Sequence, residues 1–471
     1  MTFISPLFFL FISLVICINY LLPQRFRYVF ILISSIVFVG FYNIESLAAV
    51  ILFTLFNYVL AKYIRNNKWL YLLGIIVNSV AIVLFNYFST SSNGLIFSFT
   101  LINFQIDKLI IALGLSFYSL QNIAYITEVY YNRLQPESTI CKYFLYNMFF
   151  SKFISGPIML PGEFIPQIEN NIITNDKLIR GFQLLLLGIF KKMVIADRIA
   201  PGVSSVFDYH SNYSGLTVLT ASYLFTIQLY FDFSGYTNMA LGIAEMLGYN
   251  LKDNFNFPLR SSSVSEFWRR WHISLISWFT NYIYYPVVFR LRYYKKGAPL
   301  VGIFLTFFIS MIWHGIGLTF LAWAVCHTVY LGFESLTRKS RAVLSDRFNN
   351  PFYKIVCVFI VFNLVCISNI FFRSDSFETA IHLIKNIFSG FIPDSFLTGL
   401  INPIAVGGHQ TDEFNIFITI LLLSVFLIFE RRIYKAALSE KINLKYIVLC
   451  VLLIMIFGVF NSGTRFIYMQ F

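Results

Sequence analysis

Residues 352–371 read FYKIVCVFIVFNLVCISNIF, a run in which Lys354 is the one charged side chain. A membrane helix needs about 20 mostly apolar residues to cross the hydrocarbon core of a bilayer. Residues 352–371 have this length and composition, and several other runs in the chain resemble them. The sequence therefore predicts an all-α polytopic membrane protein.

The composition of the whole chain agrees with this fold class. Of its 471 residues 58% are hydrophobic and 12% are charged, whereas soluble domains have about 25% charged residues. The net charge of +13 would suggest a nucleic-acid partner in a soluble protein. Here a simpler cause exists, because membrane proteins retain Lys and Arg in their cytoplasmic loops. We therefore expect membrane lipids, and no nucleic acid, among the partners.

The hydropathy pattern predicts roughly 11 to 13 membrane segments, several of them short or polar enough to be broken, re-entrant or interfacial. Residues Tyr143–Pro157 are a further candidate of the re-entrant kind. The clear candidate spans are Ile4–Leu22, Tyr28–Tyr42, Leu47–Tyr63, Trp69–Tyr87, Leu109–Ile126, Phe182–Val194, Leu216–Leu247, Pro299–Trp313, Ile316–Phe333, Phe352–Phe371, Phe414–Phe429 and Tyr446–Phe460.

The charges of the loops predict the orientation of the chain. Lys and Arg accumulate in cytoplasmic loops, and the loops after the second and fourth spans have no basic residue. The N-terminus is therefore expected on the outer side of the membrane. The basic loops, expected in the cytoplasm, are residues 25–27, 62–68, 338–347 and 431–445.

Residues Asn250–Ala298 form the longest stretch between spans. This stretch mixes eight Lys and Arg residues with several Trp and Tyr residues. Basic and aromatic side chains in this mixture are typical of an amphipathic helix that lies in the membrane interface. We expect such a helix on the cytoplasmic side.

The six histidines differ in their sequence surroundings. His210 and His409 fall in outer loops, and His382 falls in a short amphipathic stretch. His327 lies in the middle of a span and is expected to be a core histidine whose hydrogen bonds are satisfied. His272 and His314 remain as the candidate functional residues.

His272 lies in the run EFWRRWHISL at residues 266–275, and His314 lies in MIWHG at residues 311–315. The glycines after His314 predict a turn inside the membrane that opens onto a cavity. For His314 the composition alone favours a structural and a functional role equally. Motifs for a phosphate loop, a zinc protease or a serine nucleophile are absent from the sequence. A histidine acting as general base is therefore the simplest enzyme hypothesis, since its pKa lies near neutrality.

A series of motifs runs in order along about the last three quarters of the chain. They are LGLSFYSLQ from Leu113, FFSKFISGPI from Phe149, GIFKKMVIAD from Gly188, YFDFSGYTNMA from Tyr230, NFNFP from Asn254, SVSEFWRRWHISL from Ser263 and WHG from Trp313. With these motifs the sequence resembles the membrane-bound O-acyltransferase family, and most of all its bacterial alginate O-acetyltransferase and peptidoglycan O-acetyltransferase branch. The block at residues 370–380, IFFRSDSFETA, also resembles a C-terminal extension of that branch. The resemblance implies a bacterial inner membrane protein with its N-terminus in the periplasm.

The resemblance implies a fold and a pair of site residues. His314 matches the catalytic histidine of the family, and His272 matches its other characteristic polar position. His314 would be the base, whereas His272 would either polarise or orient its partner or hold its own segment in place. The fold would surround a central funnel and tunnel, with N-terminal transmembrane helices at residues 1–105, a catalytic core at residues 106–335 and C-terminal transmembrane helices at residues 336–471.

Charged residues within the matching motifs are interpreted mainly as ion pairs of the architecture, because burial is costly for an unpaired charge. Two lysines in the same motifs have the alternative of reaching the head-group region with their long side chains. The first set is Asp197, Asp232, Glu266, Arg269 and Arg270, and the two lysines are Lys191 and Lys192.

The resemblance also implies an activity. The protein would move an acetyl group from a cytoplasmic thioester, acetyl-CoA, towards an extracytoplasmic polysaccharide such as alginate or a related exopolysaccharide. No permanently bound cofactor or metal is expected. A separate periplasmic acetyltransferase of the SGNH type would complete the transfer on the outer face. Peptidoglycan is the alternative acceptor, and a transporter or glycan translocase without covalent chemistry is the alternative class.

Overall fold

A computed structural model of the chain describes residues 3–42, 44–90, 114–348, 350–389, 414–460 and 467. The described residues are mostly α-helical and include no β-strand. This confirms the all-α fold class. Five of the helices are long and apolar enough to cross a membrane, namely those around residues 24–41, 46–63, 215–246, 297–314 and 351–373. The total of roughly 11 to 13 membrane segments stays a prediction.

In the described residues up to Tyr213, the chain forms ten α-helices. They are α1 (Pro6–Leu21), α2 (Gln24–Tyr42), α3 (Ile44–Tyr63), α4 (Lys68–Thr90), α5 (Leu115–Tyr130), α6 (Ile140–Met148), α7 (Phe150–Phe153), α8 (Pro161–Glu169), α9 (Asn175–Phe190) and α10 (Asp197–Asp208), with a π-helical turn at Lys191–Ala196 and a 3₁₀ turn at His210–Asn212.

The second half continues with further helices and turns. They are α11 (Gly215–Met246), α12 (Val264–Arg270), α13 (Ile273–Phe279), α14 (Tyr285–Arg290), α15 (Gly297–His314), α16 (Leu318–Leu336), α17 (Arg338–Arg347), α18 (Pro351–Arg373), α19 (Phe377–Ile387), α20 (Phe414–Ala437) and α21 (Leu444–Phe457), with a π-helical turn at Thr280–Tyr284 and 3₁₀ turns at Pro258–Arg260 and Arg292–Tyr294.

Helices α9 and α11 form the closest helix pair of the interior, and glycines line their crossing. A Cβ atom added at Gly188 would lie 2.5 Å from the carbonyl oxygen of Gly235, and one at Gly181 would lie 2.5 Å from that of Gly242. Small residues allow membrane helices to approach backbone to backbone. The close pair gives the protein a rigid centre against which α10, α18 and α21 pack.

Helices α15 and α16 form a hairpin whose turn is residues 315–317. His314 is the last residue of α15, and Leu318 begins α16. The turn predicted after His314 is therefore confirmed. The helix pair places His314 at the far end of an apolar helix of 18 residues, counted from Gly297.

Two sequence interpretations that concerned irregular segments have different outcomes. The candidate re-entrant stretch Tyr143–Pro157 is indeed broken, into α6, α7 and a buried loop. The expected single amphipathic helix over Asn250–Ala298 is wrong. This stretch consists of short helices and turns, and it buries Trp271 and Trp278. These aromatic residues pack into the protein core rather than into the lipid interface.

Candidate active site

Asn254 holds the backbone around His272 in a conformation that few residues adopt. His272 directly precedes α13 with φ 43° and ψ 54°, in the left-handed region. The amide of Ile273 donates to the backbone carbonyl of Asn254 at 2.9 Å. The side-chain oxygen of Asn254 accepts hydrogen bonds from the Ser274 hydroxyl at 2.6 Å and from the Ser274 amide at 3.2 Å. The left-handed conformation of His272 costs energy, and these hydrogen bonds together stabilise it. They therefore fix the direction of the His272 side chain.

The helix before His272 is anchored by a carboxylate from α16. Glu334 accepts hydrogen bonds from the amide of Val264 at 2.7 Å and from the amide and hydroxyl of Ser265 at 2.9 and 2.6 Å. Its negative charge lies at the positive end of the α12 dipole. Ser263 caps the same helix by accepting from the amide of Glu266 at 3.0 Å. The start of α12 is thereby attached to α16, the helix that follows His314.

Glu266 is also held on this short helix. It accepts two hydrogen bonds from Ser262 and forms an ion pair with Arg270 at 2.6 Å. Burial acts to raise the pKa of Glu266, but the hydrogen bonds from Ser262 and the charge of Arg270 outweigh it and leave the pKa below its usual value. The interpretation of Glu266 and Arg270 as an architectural ion pair is confirmed. Arg269 has no ion pair among the described contacts.

Gly315 lets the chain turn tightly after His314. A Cβ atom at this position would lie 2.5 Å from a carbon of the Phe320 ring, closer than side chains approach one another. The amide of Gly315 still donates to the carbonyl of Met311 at 2.9 Å, so α15 remains regular up to His314. The motif Trp-His-Gly therefore has a local explanation, in which the glycine makes room for the ring beneath the turn.

The two candidate histidines both lie near the ring of Trp313. Its ring centroid is 6.2 Å from that of His272 and 4.6 Å from that of His314. Both imidazoles are buried, with relative exposures of 1% and 4%, and they interact electrostatically. The structure thus brings together the two residues that the sequence singled out, although 42 positions separate them in the chain.

Aromatic rings surround this pair. Phe233 lies 4.8 Å from His272 between ring centroids, and Trp323 and Phe372 lie 5.3 and 5.2 Å from His314. Apolar walls of this kind exclude water and strengthen the electrostatic interactions of any polar group inside them. The site is therefore suited to proton transfer at a reactive ester or thioester.

His327 is a satisfied core histidine, as the sequence predicted. Its Nδ1 accepts a hydrogen bond from the indole Nε1 of Trp268 at 3.2 Å, and its Nε2 lies 3.0 Å from the Ser368 hydroxyl. Because Nδ1 accepts, the neutral ring carries its proton on Nε2 and donates it to Ser368. Both nitrogens have structural partners, which distinguishes His327 from a general base.

A small cavity of about 20 Å³ lies between His314 and His327, lined also by Trp268, Trp323 and Asn369. A space of this size holds about one water molecule. A second cavity, of about 990 Å³, lies between α12, α16, α17 and α18. Tyr330 lines this larger cavity and packs against His327, so one layer of side chains separates the two spaces.

The sequence of the chain was compared with those of known proteins. The model of the membrane-bound O-acyltransferase family matches residues 30–373. This chain belongs to that family. It is accordingly a membrane-embedded acyltransferase, and the resemblance noted from its motifs is confirmed.

Three relatives of this acyltransferase illustrate the range of the match. The probable alginate O-acetylase AlgI of Azotobacter vinelandii is 32% identical over 402 residues, which cover 83% of this chain and 78% of the relative. The peptidoglycan O-acetyltransferase of Helicobacter pylori is 30% identical over 403 residues, which cover 77% and 74%. The teichoic acid D-alanyltransferase of Bacillus subtilis is 27% identical over 284 residues, which cover 58% and 71%.

Buried ion pairs hold the centre of the acyltransferase together. Lys192 forms ion pairs with Asp197 at 2.8 Å and with Asp232 at 2.6 Å, and these side chains are at most 2% exposed. Lys191 lies 3.4 Å from Glu430, which also accepts a hydrogen bond from Tyr230 at 2.6 Å. The ion-pair interpretation of the acids is confirmed. The alternative that the lysines reach the head-group region is wrong, because both are enclosed by protein.

Several buried polar residues of the acyltransferase were not singled out from the sequence. Glu334 and Glu430 act on partners about 70 and 200 or more positions away, and no local pattern indicates such contacts. Asn254 and Lys152 lie inside the family motifs and could have been noted there. Buried Lys152 forms hydrogen bonds with the side chain of Gln121 and with the carbonyl of Tyr146. Within the described ranges no group of three or more metal-binding side chains occurs.

Proposed function

We propose that this acyltransferase moves an acetyl group from acetyl-CoA on the cytoplasmic side towards a polysaccharide outside the membrane, with His314 as general base and His272 as its partner. The observation that carries the proposal is the placement of both histidines around Trp313 in a buried aromatic chamber at the α15–α16 turn. The named O-acetylating relatives support an acetyl group and an extracytoplasmic acceptor.

The chemistry asks for one base and one hydrogen-bonding partner. His314 takes the proton of an acceptor hydroxyl while the hydroxyl oxygen attacks the thioester carbonyl carbon. The new carbon–oxygen bond forms and the carbon–sulfur bond breaks. The sulfur leaves as the thiolate, and the proton stays on His314. His272, fixed by Asn254, would donate a hydrogen bond to the oxyanion that develops on the carbonyl oxygen, where a preorganised donor stabilises the transition state most.

The donor would enter from the side of the basic loops. The cavity of about 990 Å³ is lined by Arg341 and Lys354 together with apolar side chains. Basic residues attract the phosphates of a nucleotide-bearing thioester. Residues 262–264, within the basic and aromatic stretch Asn250–Ala298, also line this cavity. The proposed donor entrance is therefore the space between α12 and the α16–α18 helices.

The acceptor side would be the opposite end of the molecule. His314 contacts Phe372 at the end of α18, whereas α17 with its basic residues precedes the start of α18. Under the positive-inside rule α17 is cytoplasmic, so His314 lies towards the outer face. A periplasmic SGNH-type acetyltransferase would dock on that face and accept the acetyl group. For this protein, membership of the acyltransferase family favours acyl transfer over the alternative of a glycan translocase.

The proposal is tested in cells that lack the chromosomal copy of the gene. Acetate released by mild alkali is measured separately from the exported polysaccharide and from the peptidoglycan. Wild-type protein should restore acetylation of one of these polymers, and His314→Gln should not. If His314→Gln lowers the acetate content of the peptidoglycan and not that of the exported polysaccharide, peptidoglycan is the acceptor.

His327→Gln is the matched control for this experiment. A glutamine can accept from Trp268 and donate to Ser368, so this variant keeps the contacts of a buried histidine without touching the proposed base. It should restore acetylation. Full acetylation with His314→Gln, at equal protein levels, would contradict the proposed mechanism.

A further inference from the structure

His210 and His382 face each other at the surface, away from the residues of the proposed reaction. His210 lies in the short turn after α10, and His382 lies on α19. Their Nδ1 atoms are 3.1 Å apart, and their rings are steeply inclined at 67° with centroids 4.9 Å apart. The sequence assigned these two residues to separate surface positions and gave no reason for them to meet.

Neighbouring contacts hold the two histidines in register. Asp208, two positions before His210, forms an ion pair with Arg373 at the end of α18 at 3.0 Å. Asn386, one turn after His382, donates from its amide to the carbonyl of Tyr213 at 3.3 Å. The turn after α10 is thus tied to the end of α18 and to α19. Two imidazoles on a fixed frame form a preorganised chelate.

We propose that His210 and His382 bind a divalent transition-metal ion of the Zn²⁺ type through their Nδ1 atoms. Zinc–nitrogen bonds of about 2.0–2.1 Å at a tetrahedral angle place two ligand nitrogens about 3.3 Å apart, close to the observed 3.1 Å.

Water would occupy the remaining positions around the metal. Within the part of the chain that the structure describes, no third His, Cys, Asp or Glu side chain joins this pair as a potential ligand. A site with two imidazoles and water is exchangeable, unlike the closed four-ligand sites that proteins use for structural zinc. The bound ion would clamp α19 to the turn between α10 and α11.

Zinc titration of the purified protein tests this proposal. The protein is isolated in detergent with an affinity tag that has no histidines, treated with a chelator, and titrated with ZnCl₂ in a calorimeter. Wild-type protein should bind one Zn²⁺ per chain. His210→Asn and His382→Asn should each weaken this binding by at least about tenfold, whereas His409→Asn, at a position outside the described residues, should not.

Copper spectroscopy provides a second reading that needs no variant. One equivalent of Cu²⁺ added to wild-type protein should give an electron paramagnetic resonance signal with couplings to the nitrogens of two imidazoles. Couplings from fewer than two imidazoles would overturn the proposal. The proposal would also be overturned if both asparagine variants bound zinc as the wild type does, or if wild-type protein bound none. The two rings would then share only a hydrogen bond.

Discussion

The turn after His314 depends on the ring of Phe320 and on the absence of a side chain at Gly315. Phe320 fills the space beneath Gly315, whereas a Cβ atom at Gly317 would make only ordinary contacts. The two glycines therefore have different roles, although they lie two positions apart in the same turn. At Gly315 the absence of a Cβ atom lets the chain reverse directly behind the candidate base, and the position of His314 depends on that reversal.

Gly315→Ala should disturb the site, and Gly317→Ala should not. The alanine Cβ at position 315 meets the Phe320 ring at 2.5 Å and forces it aside, at a cost of about 1–3 kcal/mol. At position 317 the nearest side-chain atom lies 3.8 Å away, an ordinary contact. Acetyl transfer and thermal unfolding in detergent are the measurements. Equal effects of the two substitutions would contradict the packing described at Gly315.

Asn254 is the second residue on which the site depends. Asn254→Ala removes the acceptor for the Ser274 hydroxyl and amide and should cost about 1–3 kcal/mol of stability. Because the left-handed backbone at His272 loses its support, acetyl transfer should fall even in the folded fraction. Asn256→Ala is the matched control, since that side chain is exposed and only its backbone amide is used. A fully active Asn254→Ala protein would show that His272 needs no such support.

At the scale of helices, the turn between α9 and α10 concentrates charge in the core. Residues 191–196 form a π-helical turn, a widening of the helix that is frequent at functional sites. Lys191 and Lys192 point from this turn to different acids, on α20 and on α10 and α11 respectively. One irregular turn thus connects α10, which follows it directly, with α11 and α20, which are distant in sequence.

Lys192→Met should destabilise the protein strongly. It leaves two buried carboxylates without their cation, and breaking a buried pair in this way costs about 3–5 kcal/mol. Lys252→Met is the matched control, because its partner Glu163 forms an exposed pair worth about 0–1 kcal/mol. Unfolding in mixed detergent micelles measures both. Similar stabilities of the two variants would mean that the buried network adds nothing to the fold.

The sequence predicts the helices of this protein better than their interruptions. Apolar runs such as residues 352–371 indicate a span wherever about 20 such residues follow one another. The π-helical turns at Lys191–Ala196 and Thr280–Tyr284, by contrast, lie within helical patterns and have no Gly or Pro to mark them. The first of these turns packs against α11, α20 and α21, contacts that no local pattern indicates.

The same distinction applies to the candidate site. His314 and His272 could be predicted because their motifs are local and keep their order along the chain. Glu334 could not, since its role at the start of α12 arises only when α16 folds back beside it. The expected interfacial helix over Asn250–Ala298 failed for a related reason. The Trp residues of this stretch are compatible with a lipid interface as well as with a protein core. Only the tertiary structure shows that Trp278 donates a hydrogen bond to the Leu120 carbonyl inside the protein.

At the scale of the whole molecule, α18 connects two surfaces of opposite character. Its 23 residues span about 34 Å, slightly more than the hydrocarbon core of a bilayer. The basic helix α17 precedes its start, and the Asp208–Arg373 ion pair lies at its end. A membrane placed across α18 therefore separates the donor side from the acceptor side of the proposed reaction.

Cysteine labelling tests this orientation. In a protein whose six native cysteines are replaced by alanine, Ser340→Cys on α17 and Asn212→Cys beyond α10 each provide one exposed thiol. A membrane-impermeant maleimide added to cells with a permeabilised outer membrane should label Asn212→Cys alone. Both should react after the inner membrane is opened. Labelling of Ser340→Cys in closed cells would reverse the proposed direction of transfer.

The central claim is that His314 performs acyl transfer across the membrane, and radiolabelled acetyl-CoA tests it most directly. Protein in lipid vesicles receives the labelled donor, with and without the periplasmic partner, and His327→Gln serves as the folded control. Label should pass to the partner or the protein with wild type and with His327→Gln, and should be lost with His314→Gln. Undiminished transfer by a folded His314→Gln protein, or no transfer by wild type with the partner present, would contradict the account.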